Sequence, residues 1–182
     1  MEVPSGPYLD GALIGTVSEL LVHALWSGLA LSLYLGSAFI ALSFLNPEMW
    51  LGDYPPDIRE AWGPMSPAAR RQKWLLGVPV LAIALGMIVL ATAQIRGVPP
   101  PSFGEVWLHT FVMLSVFNLV DLLVIDWLLF VRVRPAFVVL PGTEGMAGYD
   151  DYGFHARAFL VGTAGIAIFS MIVAGVAVLA WR

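Results

Sequence analysis

Four stretches of this chain are each long and apolar enough to cross a bilayer, and that decides the fold class before any motif is considered. They cover about residues 19–45, 74–95, 105–131 and 155–181. A membrane helix needs about 20 mostly apolar residues, because lipid leaves every backbone N–H and C=O to be satisfied inside the segment. Hydrophobic residues make up 59% of the 182 and charged residues 12%, the latter about half the share of a soluble domain. Mean hydropathy is +0.82. The expected architecture is an all-α membrane protein: a four-helix transmembrane bundle forming a single domain over residues 1–182. Loops one and three are expected to build a structured cytoplasmic cap.

Local signals place the ends of the spans. Residues 1–13 are rich in Pro and Gly, and the first sixteen residues carry no Lys or Arg. Without the basic start of a secretory signal, the first span is expected to be retained. Gly28, Ser32 and Gly36 recur every four residues on that span, a stripe of small side chains that lets a second helix approach closely. Asn46-Pro47 ends it. PPDIREAW predicts a short helix stopped by Gly63-Pro64, and Ser66-Pro67 predicts an N-cap followed by proline at the first helical position. Pro79 lies inside the second span, where a bend or a neighbour's hydrogen bond is expected. The tight loop GVPPPSFG makes the second and third spans antiparallel neighbours. In the third loop, FVVL has extended propensity and PGTEG signals a turn.

The third span holds the residues that lipid tolerates least. Asn118, Asp121 and Asp126 lie in its inner half. At about 100° per residue they fall within an arc of about 140°, which predicts one broad polar face turned into the bundle. A carboxylate at bilayer depth costs a few kcal/mol or more, about 3 on insertion scales, so it must face protein or water. Two readings follow. One is a proton or cation relay, or a contact to a polar substrate. The other is structural, with Asp126 paired to Arg157 of the fourth span while Asn118 and Asp121 bond across to another helix. Asp121 has no Lys or Arg at its depth.

A second constellation sits at the other ends of the spans. Glu19 and His23, and likewise Glu105 and His109, are four residues apart, so each pair shares a helix face. Should the first and third spans touch, two Glu and two His converge. Such a set suits a transition metal, and two facing imidazoles suit a haem; the plain alternative is that all four are ordinary helix-end residues. The cap contributes Glu144, Tyr149, Asp150, Asp151, Tyr152 and His155 from loop three, and Asp53, Tyr54 and Asp57 from loop one. Asp150 and Asp151 suit the N-terminus of the fourth helix; a docking face for a partner is the other use of these groups.

Charge gives direction. Arg59, Arg70, Arg71, Lys73, Arg132, Arg134 and Arg157 lie on the side of loops one and three, against only Arg96 and Arg182 opposite. The positive-inside rule then puts both termini outside and loops one and three in the cytoplasm of a cell's inner (plasma) membrane. Cys is absent, which removes disulfides and thiolate chemistry, and the net charge of −4 offers no basic footprint for nucleic acid. GxxxxGK[ST], HExxH, GxSxG and GxGxxG are also missing, so nucleotide hydrolysis, zincin and serine-esterase chemistry lack a basis.

The string NLVDLLVIDW, with RPAFVVLPGTEG and YDDYGFH after it, resembles a pattern of uncharacterised bacterial multi-pass, four-span integral membrane proteins. The resemblance covers about a fifth of the chain, Asn118 to His155. It implies a bacterial source and carries over no activity and no functional residue. The functional expectation is a non-enzymatic, small transport or channel-type component, or a subunit of a membrane complex. Homodimers or larger assemblies are the expected partners, since four spans without an internal repeat are few for a self-contained transporter. The alternatives are a metal- or haem-dependent membrane oxidoreductase using His23 and His109, and a structural scaffold subunit.

Overall fold

A computed structural model describes residues 17–97 and 99–182. The expected N-terminal tail, residues 1–13, lies outside them. Five α-helices account for most of the chain: α1 Val17–Leu45, α2 Pro56–Trp62, α3 Pro67–Gln94, α4 Phe103–Val120 and α5 Tyr152–Ala180. No strand occurs among the described residues. α1, α3, α5 and α4 with its continuation to Val133 are long and apolar enough to cross a membrane. Their outward faces carry Trp26, Leu33, Trp74, Leu81, Val89, Leu160, Val161, Ile172 and Val176, all exposed. A water-soluble bundle does not present apolar surface on that scale; the chain is a multi-pass membrane bundle.

The helix ends form where the local chemistry demands. Ser66 accepts from the Ala69 N–H at 3.1 Å, and Pro67 occupies the first turn of α3. Gly63, at φ 88°, ends α2. Ser102 and Glu105 close a reciprocal capping box on α4, which satisfies two otherwise orphaned backbone donors. Asp151 caps α5 through the Phe154 N–H at 2.8 Å.

Contacts across the helices give their order. His23 meets His109, and Gly28 lies against Met113, so α1 and α4 run parallel. A Cβ added at Gly28 would stand 2.5 Å from the Met113 carbonyl oxygen and 2.7 Å from Val116 Cβ; the absence of a side chain is what lets the two backbones approach. α5 is antiparallel to α4, as Trp107 bonds the Ala167 carbonyl and Asn118 that of Phe159. α3 is antiparallel to α1, with His23 on Gln94 and Tyr34 on the Val80 carbonyl. The Tyr34 bond lands one residue past Pro79, whereas the carbonyl that the proline leaves without its helical donor is that of Leu75. The second and third spans are antiparallel and in contact, as the tight loop implies. α3 touches α4 through Ala84, Ile88 and Ala91, but it lies chiefly against α1. The short loop sets direction, and the close approach of α1 to α4 at Gly28 sets the central pair.

The third span is also not one α-helix. From Asp121 to Val133 it winds as a π-helix, with i→i+5 bonds and a wider turn, a geometry that is rare and usually confined to a single turn. It ends at Arg134, whose N–H still reaches the Leu129 carbonyl at 2.9 Å and whose φ is 47°. That left-handed residue is held by its own Nε on the Val131 carbonyl, 2.9 Å, and by an ion pair with Asp150.

Beyond this helix end lies the cap. Residues 47–53 and 136–138 are 3-10 helical, so the first half of FVVL, Phe137 and Val138, is a helical turn, while Val139 keeps the extended backbone its propensity favours. Leu51, Tyr54, Ile58, Val138, Leu140 and Tyr149 form its core with Phe130 and Val131. Burying these side chains overrides the extended preference of Val138.

Candidate functional site: a carboxylate in an apolar cavity

The site begins where the third span changes its winding. Asp121, the first π-helical residue, lies in the wall of a cavity of about 470 Å³ between α1, α3, the 47–53 helix and its own helix. α1 contributes Leu35, Ala38, Phe39 and Leu42; α3 contributes Lys73, Trp74, Gly77, Val78 and Leu81; Trp50 and Phe117 complete the aromatic lining. A second recess of about 310 Å³, bounded by α1 and the π-helical segment, also has Asp121 and Phe117 in its wall. Both are overwhelmingly apolar. Asp121 is therefore the acidic group of a space large enough for a small molecule.

The expected single polar face is divided among different partners. Asn118 turns to α5, donating to the Phe159 carbonyl at 3.1 Å and the Thr163 hydroxyl at 3.0 Å. Gly162 makes room for it, since a Cβ there would lie 3.0 Å from Asn118 Oδ1. Asp121 turns to the cavities beside α1 and α3. Asp126 bonds His155 at the start of α5, Oδ1 to Nδ1 3.1 Å. The expected pair of Asp126 with Arg157 does not form: Arg157 pairs with Asp151 at 3.6 Å. Both His155 and Arg157 lie in the first turns of α5, but Arg157 is exposed and joins the N-cap carboxylate, whereas buried His155 faces the bundle. The wider π turn brings residues five apart, such as Asp121 and Asp126, nearer one another than the 140° of an α-helix. The ionisable groups that act on Asp121 are accordingly Asp126, Asp53 and His155.

Asp53, at the end of the 47–53 helix, joins this set from the cap. It is exposed at the surface of the cap. Burial among protein atoms pushes its pKa up, Lys73 and Arg59 pull it down, and Asp126 adds to the upward push. His155 Nε2 is buried and has no hydrogen-bond partner among the described residues. Asp53, Asp126 and His155 are thus the ionisable groups whose charges act on Asp121, and within the set Asp126 and His155 are in direct contact.

At the opposite end the two histidines do meet. His23 Nδ1 and His109 Nε2 are 2.9 Å apart, the rings stack with centroids at 5.1 Å, and Gln94 Oε1 lies 3.2 Å from His23 Nε2. With neutral rings, the Gln94 acceptor assigns the proton of His23 to Nε2, so His109 Nε2–H donates to His23 Nδ1. His109, 0% exposed, is left with a buried Nδ1 that has no partner. The expected four-residue metal set does not assemble. Glu105 is turned back on Ser102, accepting from its N–H at 2.7 Å, and Glu19 is exposed in the first turn of α1. Among the described residues no three His, Asp or Glu gather as a metal-holding group. Nitrogens 2.9 Å apart also leave no gap for a haem plane.

The cap residues are engaged with one another. Tyr54, 3% exposed, donates to the Val138 carbonyl at 2.8 Å; burial, then Tyr149 and Asp53, push its pKa up. Asp57 accepts from the Gly148 N–H at 2.8 Å, where a Cβ would collide with its carboxylate. Glu144 accepts from the Gly142 N–H at 3.0 Å. Tyr54 and Asp57 therefore join loop one to loop three and are not free for a docking face. Asp151 serves as the N-cap, while Asp150 holds Arg134.

Lys73 and Trp50 line the cavity, and Gln94 orders the histidines; none was singled out from the sequence. Lys73 counted there only toward orientation, although its place one residue before Trp74 marks a group at a membrane boundary. Comparisons with protein-family models, curated proteins and solved structures find no match to this chain.

Proposed function

We propose that this chain is a small transport-type component of a bacterial plasma membrane, coupled to protons or cations and working as a homodimer or within a larger membrane complex. Its termini face outward and its cap faces the cytoplasm, the side favoured by seven of the nine basic residues. The observation that carries the reading is the position of Asp121 in the wall of the apolar cavity, joined electrostatically to Asp126, Asp53 and His155. An ionisable group inside a span is expensive and belongs to pathways for ions, protons or substrates. The test is flux. Purified protein in liposomes with an internal pH dye should dissipate an imposed pH gradient, and Asp121→Asn should slow this at least tenfold while Asp121→Glu retains part of it. Equal rates in Asp121→Asn and the parent would end the proposal.

A further inference from the structure

The cavity has a chemistry of its own, and it selects a class of ligand. Its walls present the rings of Phe39, Trp50, Trp74 and Phe117 among aliphatic side chains, with Asp121 as the acid. We infer that the cavity is a binding site for a lipophilic organic cation, which takes the place of a proton on Asp121. This inference rests on the transport reading and names its substrate class.

The cavity meets each requirement of such a ligand. A delocalised cation with an apolar body pays little to leave water, and aromatic faces attract it further, by about 0.5 to 2 kcal/mol for each well-placed ring. The groups acting on Asp121 include Asp126 of its own helix and Asp53 of the 47–53 helix, both acidic, with His155 from α5. α3 contributes Lys73 to the cavity wall. That lysine lies seven residues before Val80, about 10 Å along the axis. Asp121 sits near the level of Val80, because Gly28 packs at Met113, Gly36 at Ile125 and Tyr34 bonds the Val80 carbonyl. Lys73 is thus at the cap end, where it acts on Asp53. α1 brings no ionisable side chain to the lining. A carboxyl facing apolar walls is cheaper to hold as the neutral acid than as a lone anion. Arrival of a cation reverses that preference, and the proton leaves.

The experiment uses the full chain in detergent and tetraphenylphosphonium as the probe, with neutral triphenylphosphine oxide as its uncharged counterpart. Saturable binding of the phosphonium is expected at pH 8. It should be at least tenfold weaker at pH 5, at least tenfold weaker in Asp121→Asn, and accompanied by proton release into weakly buffered solution. Gly77→Phe is the second variant. A Cβ at Gly77 meets nothing within 4 Å, so a side chain can be added at this point of the cavity wall, and with the folded state checked by thermal unfolding, binding should fall tenfold. Equal affinity for the neutral probe, pH-independent binding, or full binding by Gly77→Phe would each overturn the inference. Asp121-dependent proton flux without cation binding would overturn the site and leave the transport reading standing. Cation binding without any flux would do the reverse.

Discussion

Gly28 and Gly36 belong to one stripe of α1, but only Gly28 touches the backbone of α4. A methyl at Gly28 would meet Met113 and Val116 inside 3 Å, whereas at Gly36 the nearest atom is Ile125 Cδ1 at 3.7 Å. Gly28→Ala should therefore destabilise the bundle by about 1 to 3 kcal/mol through overpacking, while Gly36→Ala is tolerated. Thermal unfolding in detergent compares the two; equal midpoints would show that the close approach at Gly28 does not hold. The stripe was legible because its spacing matches the helix period. The partner of Asp126 was not. Both His155 and Arg157 enter on the same turn of α5, and charge alone favours the arginine. Which of them faces inward depends on the rotation of α5 about its axis, and that is set by packing far from this turn.

Among the elements, the start of α3 is tied to the 47–53 helix by one carboxylate. Glu48 accepts from the Ser66 N–H at 2.5 Å, the Ser66 hydroxyl at 2.7 Å and the Trp62 indole at 3.3 Å. Burial pushes its pKa up, but these donors together outweigh that and hold it below the ordinary carboxylate value. With the folded value depressed, the stabilisation is fully present above the unfolded value near 4.5. As pH falls below that point the unfolded chain takes up the proton first, and stability is lost. Thermal unfolding of the parent should thus weaken between pH 6 and pH 3, with a shallower loss in Glu48→Gln; identical pH slopes would contradict the assignment. Asp53, whose pKa is raised, acts in the opposite sense and loses stability as pH rises. The Ser66-Pro67 and Gly63 boundaries were legible because N-capping and left-handed backbone are local chemistry. The π-helical winding was not, since the Leu, Val and Ile of Asp121–Val133 suit an α-helix as well as a π-helix, and neither Pro nor Gly marks the change of winding.

At the scale of the whole molecule, four apolar blocks determine a bundle, and the basic residues propose its direction. The chain has no cysteine, so a single one introduced at exposed Glu144 reports sidedness cleanly. A membrane-impermeant maleimide should label Glu144→Cys only after intact cells are opened; labelling of intact cells would invert the orientation. The order of helices was the part least legible, because a short loop between α3 and α4 says which way they run but not which faces match. The cavity follows from that order: it exists because α3 lies against α1 and leaves Asp121 uncovered on that side. The most direct measurement is therefore the reactivity of this one carboxyl. Membranes treated with dicyclohexylcarbodiimide, which dissolves in apolar surroundings and attacks protonated carboxyls, should yield a peptide modified at Asp121 on mass spectrometry, with the adduct at least tenfold slower to form in Gly77→Phe. An unmodified Asp121, or equal rates in the two proteins, would contradict a cavity-facing acid at the centre of this molecule.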